Sequence, residues 1–202
     1  MNLENEGNHI KSAREIALEK VAEMGEVTEE ERLRWNYVPE GEKLAVKYMK
    51  QDLNLAAELG KYDEAVIGYI KAGASDILLR NIELPVSDLA RKNNKKAMDG
   101  IKTLKKDKVG AENNFSKIRN IFNHYTEQGE QQRRQAYEQL KAEFGAKVQE
   151  AIRQQLGTVT GLKIDIEKQP QFQEEWRRVK LQFDAQYITL LNEYKQELAA
   201  IA

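Results

Sequence analysis

The sequence predicts an all-α protein: a multi-helix bundle with a long antiparallel helical pair, about residues 137–156 and 171–201, and a smaller helical N-terminal part. Three observations support this class. The strong helix formers Ala, Leu, Glu, Lys, Gln and Arg dominate the composition. The 202 residues include only three prolines. Apolar residues recur at helical spacing in most segments, whereas the period-two clusters that are typical of strands are almost absent.

The N-terminal part is predicted to hold two helices after a polar tail. Residues 1–8 are polar, and we expect them to form a disordered tail. A helix from about His9 to Met24 follows, with its apolar residues on one face. Thr28 and Glu31 have the spacing of a capping box, which predicts the start of a second helix. Because a proline disfavours a helical conformation in the residue before it, this helix is expected to stop before Pro39.

The next predicted helices run from about Glu40 to Leu59 and from about Tyr62 to Leu79, the second with a bend around Gly73. Five residues of the stretch LGKYDEAVIGYIKAG, residues 59–73, resemble the second helix of a tetratricopeptide repeat: Gly60, Tyr62, Ala65, Tyr69 and Ala72. The resemblance implies a helical module that lines a peptide-binding groove.

A test for copies of this stretch favours a different interpretation. A shift of 34 residues in either direction does not reproduce the pattern, and a repeat array needs about three copies. We therefore expect an ordinary close-packed amphipathic helix, with Ala65 and Ala72 at helix contacts and Tyr62 and Tyr69 filling space. A single repeat that lines a peptide groove is the alternative.

The middle of the chain is predicted to form helices between breaks at Pro85 and Gly110. Ser87 or Asp88 is expected to cap a helix that runs to about Lys108. An amphipathic segment follows, with apolar residues at Phe115, Ile118, Ile121, Phe122 and Tyr125.

Residues 126–135 contain no large apolar side chain. We expect them to form a hairpin turn centred on Gly129, and the alternative is a helix that runs outside the core. Further on, residues 157–170 contain two glycines and several β-branched residues. They predict an ordered linker, with a short strand at Ile164 and Ile166 as the alternative.

The last helix carries the strongest periodic signal. Its apolar residues follow one another at steps of three or four: Phe172, Trp176, Val179, Phe183, Tyr187, Leu190, Tyr194, Leu198 and Ile201. The steps form an eleven-residue repeat of about 3.67 residues per turn, which keeps one stripe aligned along a nearly straight helix of roughly 45 Å. Residues 137–156 show similar spacing, so we predict that these two helices pack against each other.

The chain is expected to divide into an N-terminal helical subdomain, residues 9–84, and a long-helix subdomain, residues 86–202, or else to form one continuous domain. Charge is distributed unevenly. Residues 1–90 carry 11 Lys and Arg against 18 Asp and Glu, residues 91–119 carry 10 against 3, and residues 120–202 carry 11 against 12. The formal net charge of −1 therefore hides a strongly basic middle.

The basic segment 91–119 supplies one candidate site, for nucleic acid or another polyanion. Its cations form a helical face with an extension: Lys92, Lys95, Lys102, Lys106, Lys117 and Arg119. Such a stripe neutralises phosphates without reading sequence. However, Asp99 interrupts it, and no aromatic side chain is interleaved for base stacking. A solvated lysine face, or one that meets acidic residues of this chain or a partner, is the favoured interpretation.

The sequence offers few groups for catalysis. It has no cysteine, which excludes disulfides and thiolate metal sites. Of the two histidines, His9 lies near the tail, and His124 follows Ile121 by three residues where a di-metal helical site needs Glu. Phosphate-binding glycine loops and common hydrolase motifs are absent. We therefore predict a non-catalytic protein with no cofactor and no bound metal.

The remaining candidates are aromatic anchors of a protein interface: Trp35, Tyr37, Trp176, Phe183 and Tyr187. For Trp35 and Tyr37 a position under the core is the more common one. Long striped helices and a charged surface predict an assembly or adaptor protein that binds another protein or itself, as a homodimer through the C-terminal stripe. Without cysteines or an apolar run of membrane-spanning length, the chain is expected to be cytoplasmic and not to contact a membrane.

Overall fold

A computed structural model describes residues 12, 14, 27–156 and 164–201 of the chain. All regular elements in these residues are helical, which confirms the all-α class. They are α1 (Glu29–Lys50), α2 (Leu55–Leu59), α3 (Glu64–Arg80), α4 (Asp88–Leu104), α5 (Lys108–Thr126), α6 (Gln128–Leu156), a 3-10 turn (Ile166–Lys168) and α7 (Pro170–Ala200). The predicted tail 1–8 and most of the predicted helix 9–24 lie outside the described residues.

Helix α1 begins where the sequence predicts but ends later. The Thr28 hydroxyl accepts a hydrogen bond from the Glu31 N–H, and the Glu31 carboxylate accepts one from the Thr28 N–H, so the capping box is complete. The predicted stop before Pro39 is wrong, because the helix continues through it to Lys50. The predicted helix from Glu40 to Leu59 is the second half of α1, a short loop and α2.

The packing of α1 on α3 explains why the proline is tolerated. A Cβ atom added at Gly41 would lie 2.0 Å from the carbonyl oxygen of Ile70, and one at Gly73 would lie 2.0 Å from that of Val38. The two backbones therefore touch, in antiparallel register, at a distance that only glycine permits. A proline removes one helical hydrogen bond and strains the preceding turn. The close contact with α3, directly beside Pro39, holds both halves of α1 in line.

Residues 64–73 belong to the close-packed helix α3, as the sequence predicts, but the residues that make its helix contacts are not the predicted ones. A single helix runs through Gly73, and Ala65 and Ala72, which were expected at helix contacts, are exposed. The buried residues of α3 are Ile70, Gly73, Ala74 and Leu78. The helix makes its closest approach to α1 through Gly73 and not through Ala65 or Ala72, since glycine alone allows the distance observed.

Helices α4 and α5 meet at a break that lies earlier than predicted. Ser87 caps α4, because its hydroxyl accepts a hydrogen bond from the Ala90 N–H. The helix ends at Leu104, and Asp107 caps α5 by accepting a hydrogen bond from the Gly110 N–H at 2.9 Å. The predicted break at Gly110 is therefore wrong, since this glycine belongs to the first turn of α5. A good capping aspartate three residues upstream sets the boundary.

The predicted hairpin turn at Gly129 is also wrong. Helix α5 ends at Thr126, and α6 begins two residues later. The Glu127 N–H still donates to the Asn123 carbonyl, and the Gln131 N–H donates to the Glu127 carbonyl, so helical hydrogen bonds continue across the junction. Gly129 is buried, and a Cβ there would lie 2.8 Å from the Tyr187 hydroxyl.

Helix α7 runs antiparallel to both α6 and α5. The predicted antiparallel pair, which is α6 with α7, is therefore confirmed. Its last third faces α5 and its first half faces α6. The contacting pairs are Asn114–Glu197, Tyr125–Asp184, Tyr137–Trp176 and Phe144–Phe172. The stripe departs from the prediction at Leu190, which is 38% exposed, while Leu191 beside it is buried, because the helix there also packs on the rest of the bundle. Beyond that point the predicted residues Tyr194, Leu198 and Ile201 pack on the core.

The chain forms a head and an arm. The head consists of α1 to α5 with residues 184–201, and its core draws residues from both predicted subdomains, from Leu44 to Leu198. The arm consists of α6 with residues 164–183. Of the 22 buried hydrophobic residues in the described chain, Phe172 alone lies in the arm. The alternative of a strand at Ile164 and Ile166 is not observed: the described part of that linker forms a 3-10 turn, and residues 157–163 lie outside the described residues.

Candidate functional site

A groove between α4 and α5 encloses a cavity of about 430 Å³, a size typical of ligand sites. Its lining combines buried or half-buried apolar residues, Pro85, Met98 and Phe122, with exposed charged ones. The charged residues of the lining are Arg91, Lys95, Asp99 and Arg119. We call this surface the basic groove. Arg91 pairs with Asp88 at 3.4 Å and Arg119 with Glu112 at 2.6 Å, so Lys95 is the cation of the lining that has no carboxylate partner among the described residues. The groove is therefore suited to an apolar group that carries a negative charge near Lys95.

Asn94 holds the end of the groove in place. It is 3% exposed, and its side-chain amide donates to the Glu83 carbonyl at 2.7 Å and accepts from the Glu83 N–H at 2.9 Å. These two hydrogen bonds satisfy the backbone N–H and carbonyl of Glu83, in the loop between α3 and α4. They hold this loop against α4, and Pro85 of the loop lines the groove. A polar residue on the buried face of α4 is the one sequence signal that could have indicated this role.

The six residues predicted to bind a polyanion fall into two groups: three are free to bind an anion, and three already pair with carboxylates of the chain. Lys92, Lys95 and Lys106 are exposed and pair with no carboxylate among the described residues. The other three are already paired within the chain. The opposite face of α4 is buried as predicted, through Ala97, Met98, Ile101 and Leu104.

Two carboxylates neutralise these three cations. Glu112 accepts hydrogen bonds from Lys102 at 2.8 Å and from Arg119 at 2.6 Å, and the bond from Lys102, followed by that from Arg119, lowers the pKa of Glu112. Lys117 pairs with Glu197 of α7 at 2.7 Å, and this hydrogen bond raises the pKa of Lys117. Because α5 supplies one acid and α7 the other, the neutralisation depends on the tertiary structure.

The junction between head and arm contains a polar aromatic cluster. The Tyr125 hydroxyl donates to Asp184 at 3.0 Å, and the Arg133 guanidinium lies 4.1 Å from the centre of the Tyr125 ring. Burial, assisted by the bond to Asp184, raises the pKa of Tyr125 to about 12. The Tyr187 hydroxyl lies 2.8 Å from His124 Nδ1. These contacts fix the direction in which the arm leaves the head.

The five predicted interface aromatics fall into two groups. Trp35 is 64% exposed on α1, so the expected core position is wrong for this residue. Tyr37 is half-buried and packs against the head core. Trp176, Phe183 and Tyr187 are half-buried between α7 and its neighbours, so the stripe packs within the chain. Of the five, only Trp35 presents most of its surface to solvent.

The described residues contain no cluster of three or more His, Asp or Glu side chains that could hold a metal ion. His124, the one histidine in the described part, is engaged with Tyr187. None of the helices in that part is both long and apolar enough to cross a bilayer.

Residues 56–200, well over half of the chain, match the model of a protein family described as "Family of unknown function (DUF6657)". The chain belongs to this family. No curated protein and no solved structure matches it. The family match takes in the basic groove and both helices of the arm, whereas Trp35 and the rest of α1 precede it. The DUF6657 region therefore does not include the helix that packs most closely on α3.

Proposed function

We propose that this DUF6657 protein is a non-catalytic assembly or adaptor protein that binds other proteins through its arm. The observation that carries the proposal is the arm itself: two long helices that leave the head and, within their described residues, bury one hydrophobic side chain between them, Phe172. A projection of this kind contributes little to the core of its own chain. It extends a rigid helical surface towards a partner.

The outer face of α7 supports this role. Leu181 and Ile188 are 61% and 45% exposed, and they lie nine and sixteen residues after Phe172. At about 100° per residue both point to the side of α7 opposite Phe172. Leu181 lies in the arm, and Ile188 lies just beyond it, where the same helix enters the head. Apolar side chains seven residues apart on one helical face are the anchors expected for a partner helix. The proposal includes a cytoplasmic location, which the cysteine-free sequence favours.

The test compares partner capture by variants of the full chain in the native organism. Leu181→Glu with Ile188→Glu should abolish capture of partners that the wild-type chain enriches. Val109→Glu serves as the matched control, because Val109 is 72% exposed and lies on the head. Both variants should fold, since the changed side chains are exposed. Equal capture by all three proteins would refute the role of this outer face of α7.

Binding of a polyanion through residues 91–119 is the second candidate function. It is supported by the exposure of Lys92, Lys95 and Lys106 without carboxylate partners among the described residues. Affinity for RNA should then fall steeply with salt and be lost when the three lysines are changed to Glu. The absence of any RNA binding at low salt would refute this candidate.

A further inference from the structure

We propose that two copies of this chain associate, with Trp35 of each copy seated in the basic groove of the other. The inference specifies one partner for the proposed assembly function and rests on that function. It starts from two features that are unused within a single chain: a largely exposed tryptophan and a groove whose lining suits it.

Trp35 is presented as an anchor. It lies on the face of α1 that points away from α3, together with Pro39 and Val46, four and eleven residues further on. The direct backbone contact at Gly41 holds this helix against the head. A large aromatic side chain on a rigid helix loses little conformational entropy on binding, which is why tryptophan is frequent at the centre of interfaces.

The basic groove offers what an indole ring requires. Its cavity of about 430 Å³ has Met98 and Phe122 in its lining, and both side chains make favourable contacts with aromatic rings. Lys95 also lines it and pairs with no carboxylate among the described residues, so its ammonium group is available to lie over the ring. Arg91, a second cation of the lining, already pairs with Asp88 at 3.4 Å. Tryptophan is the strongest cation–π partner among the aromatic residues.

The charges beside the anchor fit those of the groove. Glu31 and Glu42 lie on the same face of α1 as Trp35, four residues before and seven after. Glu42 would meet Lys95, whereas Glu31 is already engaged in the cap of α1 and Arg91 pairs with Asp88 at 3.4 Å. On the other flank of Trp35 lies Arg32, for which Asp99 of the groove is the counterpart.

The geometry points to a second copy as the occupant. Trp35 is 64% exposed, so it does not fill the groove of its own chain. Each chain carries both this anchor and this groove, so two reciprocal contacts close a symmetric dimer and leave neither of these two sites open. The C-terminal stripe packs within the chain and is not needed for this association.

Sedimentation equilibrium of the full chain, from about 1 to about 200 μM, tests the proposal directly. We expect a reversible monomer–dimer equilibrium, weakened at least about tenfold by Trp35→Ala or by Lys95→Glu. Two matched controls should leave it unchanged: Leu89→Ala, at an exposed apolar residue of the head, and Lys92→Glu, on the same helix as Lys95 but outside the lining. Glu42→Lys should weaken the dimer, and its combination with Lys95→Glu should restore part of the affinity.

Fluorescence gives an independent readout in a Trp176→Phe background, where Trp35 is the only tryptophan. Its emission should move to shorter wavelength as the dimer forms and should stay at the solvent-exposed position in Lys95→Glu. A single-chain mass throughout with unchanged emission would overturn the proposal, and so would a dimer that Trp35→Ala leaves intact. Capture of partners by the arm is measured separately with the Leu181 and Ile188 variants, so failure of one proposal is distinguishable from failure of the other.

Discussion

Replacing Gly41 with alanine should destabilise the protein, although alanine is the better helix former. Helix propensity alone favours alanine over glycine by about 1 kcal/mol. The added Cβ atom, however, would lie 2.0 Å from the Ile70 carbonyl oxygen, whereas real Cβ contacts essentially never fall below 3.0 Å. This oxygen belongs to the backbone, so a side-chain rotation cannot relieve the clash and the two helices must separate.

The cost is therefore that of overpacking together with lost contact along α1. Overpacking costs about 1–3 kcal/mol and more where backbone must move. We expect the free energy of unfolding to fall by about 2 kcal/mol, which is the upper end of the overpacking cost less the propensity gain. For a chain of this size that corresponds to a decrease in melting temperature of roughly 4–8 °C.

Urea denaturation followed by far-UV circular dichroism measures the change. Gly68→Ala is the matched control: Gly68 lies in the partner helix α3, and an added Cβ there has no atom within 4 Å. That variant should be more stable than the wild-type chain by about 0.5–1 kcal/mol. If Gly41→Ala were as stable as Gly68→Ala, the direct backbone contact between α1 and α3 would be refuted.

Three further predictions follow from the arm, the junction and the basic stripe. Phe172→Ala should open the arm locally, because it removes the buried Phe172 side chain at a typical cost of about 3–5 kcal/mol. Amide hydrogen exchange should then accelerate in the arm and not in the head. Equal acceleration in both would contradict the division of the chain into head and arm. The raised pKa of Tyr125 means that the folded state holds this proton more tightly than the unfolded state, so its contribution to stability is present below about pH 10 and is lost as the pH rises towards about 12. In Tyr125→Phe the free energy of unfolding should therefore decrease less between about pH 10 and about pH 12 than in the wild-type chain. An unchanged pH profile would contradict this role of Tyr125. Glu112→Gln should release Lys102 and Arg119, increasing RNA affinity at low salt if the polyanion candidate is correct, with little change in stability because all three side chains are partly exposed.

Features that depend on neighbouring residues were predictable. The caps at Thr28 and Ser87 follow from a side chain and a backbone N–H three residues later, and the structure confirms both. The apolar stripe of α7 also follows from local spacing, and it correctly predicted the antiparallel pair. Where the stripe shifts from Leu190 to Leu191, α7 begins to pack on a second neighbour, which spacing within one helix cannot indicate.

The candidate surfaces were less accessible from sequence. Periodicity placed Lys92 and Lys95 on a solvent face, and both are exposed. It could not reveal that Lys117 pairs with Glu197, eighty residues away. Periodicity also could not show that Trp35 is exposed. Its exposure depends on which face of α1 packs on α3, and the backbone contact at Gly41 decides that face.

The sequence by itself determined the all-α class, the starts of the capped helices and the apolar faces of the long ones. These properties depend on backbone preferences and on side chains within one or two turns. Only the tertiary structure decided that α1 continues through Pro39, that α5 and α6 join without a hairpin, and which cations remain unpaired. The physical reason is the same in each case: the deciding contact comes from a distant part of the chain, and its free energy outweighs the local preference.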